Sequence, residues 1–194
     1  MASLDDLITS KVRIKLLKLF FANPNSKYHV RGIVRELGEE INAIRRELRR
    51  MKEFGIIIRE ERGNRVYYFA NEEYVMFGDL VSIIAKETAL GKAIIDNRLK
   101  LSKPAFIMFS GKFTRHKQKK RDDEVDVLVV GEIVLPELAT LIREEESKRN
   151  QEINYTVMSR EEFDFRKKRR DPFILGILAE SRVMIIGDEE GLVG

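Results

Sequence analysis

The stretch that most constrains the fold is "IIIREERGNRVYYFA", residues 56–70. Two runs rich in Ile, Val and Tyr flank Gly63-Asn64, and that pattern specifies a two-stranded antiparallel hairpin with a tight turn. A hairpin alone is marginal in water and needs an apolar partner. The preceding residues supply one. Ile41, Ile44, Leu48, Met51 and Phe54 fall on one face of a helix, while Asn42, Arg45, Arg46, Arg49 and Arg50 fall on the other. Val30, Ile33, Val34 and Leu37 make a shorter helix that ends at Gly38. Before it, apolar residues from Leu4 to Phe21 recur at helical spacing until Asn23-Pro24-Asn25.

Helix, short helix, basic helix and hairpin within 70 residues make a winged helix-turn-helix. The segment "KYHVRGIVRELGEEINAIRRELRRMKEFGIIIREERGNRVYYFAN" resembles the ArsR-like winged-helix family of transcriptional regulators along its whole length. The resemblance implies double-stranded DNA as partner, with the third helix in the major groove and the wing on the neighbouring backbone. Asn42, Arg45, Arg46, Arg49 and Arg50 then face the duplex, and Arg62, Asn64 and Arg65 form the wing tip. Arg pairs bidentately with guanine and Asn with adenine, and either also grips phosphate without reading sequence. The competing reading is a solvated arginine face, softened by Glu47. Charge placement bears on the choice. Residues 1–70 carry 15 Lys/Arg against 9 Asp/Glu, whereas residues 101–194 carry 17 against 18. A basic first third on a near-neutral remainder suits an anionic partner.

Residues 71–103 read as a linker or dimerisation helix, or a helix pair broken near Gly91, with an apolar stripe from Met76 to Ile95. It packs on its own domains or pairs two chains as a homodimer; the second reading is the expectation adopted.

From residue 104 to 194 strands and helices alternate, giving an α/β domain with a small mixed sheet, so the chain as a whole is α+β. "AFIMFSG" and "EVDVLVVGEI" are strands joined by the basic loop "TRHKQKKR", and "EINYTVMS" and "RVMIIGDEE" are later strands. Strand, Ser110-Gly111 turn, loop, then acid-x-acid resembles the minimal nucleotidyltransferase fold of the polymerase-beta superfamily, across roughly 104–190. That family carries Gly-Ser and paired acids because Mg²⁺ must neutralise and position a triphosphate. Here Gly111 keeps its place, but Lys112 stands where the serine belongs. Phe113-Thr114-Arg115 approximate aromatic-Ala-Arg, and His116 replaces the next glycine. Glu124 and Asp126 match the acid pair, and Asn154 stands where a third carboxylate is expected.

The resemblance therefore implies a degenerate nucleotide site of Gly111, Lys112, Arg115 and Asn154, in a module for ligand sensing, dimerisation or partner binding. The alternative is an active nucleotidyltransferase acting on protein or RNA. Mg²⁺ on Glu124 and Asp126 and a nucleoside triphosphate enter only under that alternative; otherwise no cofactor is expected. Glu124 also reads as a surface acid, and Asp126, between two valines, needs a partner such as Lys112 or the basic loop. "SGKFT" is not a P-loop, since Phe106 and Phe113 occupy positions that require Gly and Ser/Thr. "TRHKQKKR" and "RKKRR" (166–170) read as solvated loops, or jointly as an extended anionic footprint that includes Lys119, Lys120 and Arg121.

Composition excludes several classes. With no cysteine there are no disulfides or thiolate metal sites, and two histidines are too few for a histidine zinc site. No apolar run reaches a membrane-spanning length, and the early acids Asp5 and Asp6 do not suit a signal peptide, so the expected location is cytoplasmic.

Overall fold

The computed structural model describes residues 4–118 and 124–194. The chain forms two compact units, Met1–Glu87 and Thr88–Gly194, and its fold class is mixed α+β.

In the first unit the N-terminal periodicity resolves into two helices, α1 (Leu4–Leu7) and α2 (Lys11–Ala22). The break is at Ser10, whose side chain accepts a hydrogen bond from the Arg13 N–H and caps α2. A two-residue strand β1 (Tyr28–His29) leads into α3 (Val30–Leu37), then α4 (Ile41–Glu53). The hairpin is β2 (Ile57–Arg62) and β3 (Arg65–Ala70), and α5 (Phe77–Glu87) follows. Arg62 pairs with Arg65, so the turn is Gly63-Asn64, with Gly63 at φ +56°. A left-handed glycine at the first central position is what a tight hairpin of right-twisted strands requires. The sheet order is β1-β3-β2, antiparallel throughout. Helices α2 to α4 with this sheet make the winged-helix arrangement.

The core of this unit is built from Leu16, Phe20 and Phe21 of α2, Ile33 of α3, Ile44, Leu48 and Met51 of α4, and Ile84 of α5. Phe21 meets Phe77 at 5.8 Å between ring centroids. Phe54, expected on the apolar face of α4, instead ends that helix as its C-cap and is 69% exposed.

In the second unit α6 (Ala89–Asp96) precedes β4 (Ser102–Ser110), the single turn α7 (Gly111–Thr114), β5 (Val127–Ile133) and α8 (Leu135–Arg149). Then come β6 (Tyr155–Met158), α9 (Arg160–Lys168), α10 (Pro172–Ala179), β7 (Arg182–Ile186) and α11 (Glu189–Val193). The helix pair of residues 71–103 thus breaks at Thr88, whose backbone is extended, and not at Gly91, which lies buried inside α6. The four strands order as β6-β5-β4-β7. β5 and β6 are parallel, and the other pairs are antiparallel, so the sheet is mixed.

Alternation sorts the strand residues. Phe106, Met108, Leu128, Val130, Met158 and Met184 join Phe163 of α9, Ile174 of α10 and Leu192 of α11 in one core. Ile107, Phe109, Val127 and Val129, of opposite parity, are equally buried. Among them Phe109 meets Phe113 of α7 edge-on, and Arg149 of α8 stacks 4.1 Å over the Phe113 ring. The β4–β5 register shifts between Pro104 and Phe106, opposite Gly131 at φ +123°. A Cβ there would lie 2.6 Å from the Ala105 amide nitrogen, so only glycine fits.

Candidate functional sites: a cationic helix face and a cleft

Helix α4 is held from behind. Ile44, Leu48 and Met51 are at most 1% exposed, which fixes its rotation about its own axis. Asn42, Arg45, Arg46, Arg49 and Arg50 are all exposed on the other side. Arg45, Arg46 and Arg49 make no ion pair among the described residues. Arg50 differs, because its guanidinium reaches Glu47 at 3.5 Å.

Glu47 softens the outer face at Arg50, while its shorter bonds run to the other side of the helix. It is buried and points inward, accepting from the Ser10 hydroxyl at 3.1 Å and from the Arg13 Nε at 2.8 Å. At the front of α4 the Glu40 side chain accepts from the Ala43 N–H at 2.8 Å. Bonds from the Asn42 and Ala43 backbones, helped by Arg46 and Arg45, hold its carboxyl below the usual carboxylate range.

The wing places its three expected residues differently. Asn64 and Arg65 are exposed, and Arg65 makes no ion pair among the described residues. Arg62 is tied to Glu60 at 2.8 Å, which raises the guanidinium's affinity for its proton, and Glu60 also binds Lys27 at 2.7 Å. The two partners hold the Glu60 carboxyl below its ordinary range. Arg59 and Glu61 pair at 2.6 Å. Arg31 and Arg35, one helical turn apart on α3, are exposed and likewise without an ion pair among the described residues. Their signal in the sequence is the four-residue spacing of two arginines within an otherwise apolar helical pattern.

In the second unit a cleft of about 450 Å³ opens beside the β4–α7 turn. Gly111, Lys112, Glu124 and Asp126 all line it. The two acids precede β5 instead of lying within it, and Val125 between them lines the cleft as well. Lys112 Nζ lies 2.9 Å from Glu124 Oε2 and 3.9 Å from Glu180 Oε1. Asp126, 3% exposed, accepts from the Asn154 N–H at 2.9 Å, and the Asn154 side chain donates to the Glu124 carbonyl at 3.2 Å. Of the two sources of a partner expected for Asp126, Lys112 is directed at Glu124, and part of the basic loop lies outside the described residues. Arg115 closes α7 as its C-cap and does not line the cleft.

Local geometry explains the turn. Ser110 caps α7 by accepting from the Phe113 N–H at 3.2 Å. Its own N–H donates to the Asp126 carbonyl at 2.8 Å, and the Gly111 N–H donates to the Ser181 carbonyl at 2.6 Å. Among the described residues no group of three or more His, Cys, Asp or Glu side chains converges as a metal site. Lys119, Lys120 and Arg121 of the basic loop lie outside the described residues. Among those described, no helix is long and apolar enough to cross a membrane.

In comparisons with known proteins, no family profile and no curated sequence matches the chain. Among solved structures the chain is similar to reduced HlyU from Vibrio cholerae N16961, at 15% identity and a TM-score of 0.32, over 40% of this chain and 80% of that one.

Proposed function

We propose that the chain is a DNA-binding transcriptional regulator of the ArsR-like type, acting on double-stranded DNA as a homodimer. Its C-terminal unit is a nucleotidyltransferase-like domain that has lost catalysis and serves ligand sensing, dimerisation or partner binding. The observation that carries the reading is the outer face of α4. Asn42, Arg45, Arg46 and Arg49 project from a helix whose inner face is locked in the core, and the three arginines are not spent on carboxylates among the described residues. Such a helix presents donors in the fork geometry that guanine edges and phosphates accept. Arg65 and Asn64 extend the contact from the wing.

The test is duplex binding measured by fluorescence anisotropy over a salt series, with genomic fragments selected for binding. Wild type is expected to lose affinity steeply with salt. Reversing Arg45, Arg46 and Arg49 to Glu is expected to lower affinity by at least about 100-fold at moderate salt. Unchanged affinity overturns the reading.

Loss of catalysis is supported by the residues at the cleft. Lys112 brings its ammonium to Glu124, where the resemblance would place a metal, and Asn154 supplies an amide where a third carboxylate belongs. The N–H groups of Ser110 and Gly111 are occupied by protein carbonyls and so do not cradle phosphate. This donor set does not fit a Mg²⁺–triphosphate site. Label from ATP transferred to protein or RNA, and abolished by Asp126→Ala, would overturn this part and establish the enzyme.

A further inference from the structure

Helix α10, "PFILGILA", is apolar at all eight positions, yet Ile174 alone is buried. One flank, Pro172, Phe173 and Ile177, forms the apolar wall of the C-terminal cleft. The rest of its surface is uncovered. Phe173 is 41% exposed and Leu175, on the flank away from Phe173, is 42% exposed. Pro172, Leu175, Gly176 and Ala179, all on one side by helical spacing, combine two exposed small residues with Leu175 opposite the buried Ile174. Nothing lies within 4 Å of where a Gly176 Cβ would be, so another backbone can come close there. A helix apolar on every side belongs in an interior, and a contiguous apolar face in water marks an interaction surface.

The two ends of α10 differ in charge. Lys168, Arg169 and Arg170 precede it, all exposed and without an ion pair among the described residues. Glu180 follows it, 60% exposed at its side chain, with Lys112 3.9 Å away. Asp171, between the basic run and the helix, is committed to α10 itself and accepts from the Phe173 and Ile174 N–H groups. The face therefore carries its own complement. A two-fold axis through Leu175 runs two copies of α10 antiparallel and sets Arg170 of one copy opposite Glu180 of the other. The helix dipoles also oppose favourably in that arrangement. A parallel pairing would set arginines against arginines, and nucleic acid would engage the arginines while leaving the apolar face uncovered.

We propose that two copies of this chain pair through α10 in antiparallel register. Leu175 and Gly176 lie at the centre of the contact, and Arg170 faces Glu180 at both ends. The helix is about 12 Å long, so the contact falls short of a standard interface of about 800 Å² a side and the dimer is a reversible one. This names the surface for the dimerisation reading of the C-terminal unit and rests on that reading.

The chain has no cysteine, so a single introduced cysteine forms a disulfide only between copies. In the full chain under mild oxidation, Leu175→Cys is expected to give at least about tenfold more linked dimer than Glu144→Cys, an exposed control on α8, because the bond needs Cα atoms within about 7 Å. Sedimentation equilibrium reads the reversible dimer. Leu175→Glu puts a good helix former at an exposed site and so keeps the fold. It is expected to weaken the dimer at least about tenfold, since its carboxylate is buried at the axis. Glu180→Arg is expected to weaken it about threefold, and adding Arg170→Glu to restore it. A wild-type dimer that Leu175→Glu leaves unchanged, or equal linking of the two cysteines, overturns this surface and leaves the homodimer reading standing. Wild type that sediments as a monomer at its highest soluble concentration overturns both.

Discussion

Arg13 of α2 and Glu47 of α4 meet at 2.8 Å inside the N-terminal unit, and the same carboxylate receives the hydroxyl of Ser10. One acid thereby joins the cap of α2 to the inner side of the helix that presents the arginines. Glu47→Ala would leave the Ser10 hydroxyl and the half-buried Arg13 guanidinium without their acceptor. We expect a loss of about 2 kcal/mol in urea unfolding, with Glu47→Gln losing about half as much because it still accepts from Ser10.

The wing allows a paired comparison. Arg62 is bound to Glu60, whereas Arg65 across the turn makes no ion pair among the described residues. Removing Arg65 is therefore expected to lower the slope of log affinity against log salt by about one unit, and Arg62→Ala by clearly less. Equal slopes for the two variants would show that the Glu60 pair opens on binding.

Glu40 sets a pH dependence. Backbone bonds from Asn42 and Ala43 hold its carboxyl below the usual range, so the folded chain releases this proton more readily than the unfolded one. Its stabilising effect is complete above the ordinary carboxylate range and fades as pH falls through the depressed folded value. The stability gap between wild type and Glu40→Ala should accordingly be wider at pH 7 than at pH 3, by thermal unfolding at both.

Gly111 leaves no room for a side chain. A Cβ there would lie 2.0 Å from Ser181 Oγ and 2.9 Å from its carbonyl oxygen. Gly111→Ala is expected to destabilise the C-terminal unit by about 1–3 kcal/mol, read from its unfolding transition, and adding Ser181→Ala should recover part of that.

His29 caps α3 with a ring nitrogen, Nδ1 accepting from the Gly32 N–H at 2.8 Å. His29→Ala should cost about 1 kcal/mol, while His29→Asn, an effective N-cap, should hold wild-type stability in the same denaturation assay.

Much of this was legible in the sequence, because periodicity reports burial. Ile44, Leu48 and Met51 repeat at helical spacing and are buried, and Gly63-Asn64 marks the hairpin turn where the strands reverse. Side-chain pairing was not legible. Glu47 stands among arginines in sequence, and only the fold brings Ser10 and Arg13, more than thirty residues away, to its inner side. Arg62 looked equivalent to Arg65 until strand pairing and the approach of Lys27 fixed Glu60 beside it. At the cleft, sequence brought Lys112, Glu124 and Asp126 together through a resemblance. It could not foresee α10 as the apolar wall, because Pro172, Phe173 and Ile177 lie some fifty residues further on.

The glycine opposite the irregularity of β4 has a consequence for how the second sheet assembles. Residue 131 is the one place on β5 where the bulging backbone can be accommodated, so a slip of one residue would drive Glu132 or Val130 into the Ala105 amide. The long hairpin therefore has one alignment in which it can zip. Gly131 is thus a keyway that admits the observed pairing and penalises shifted ones.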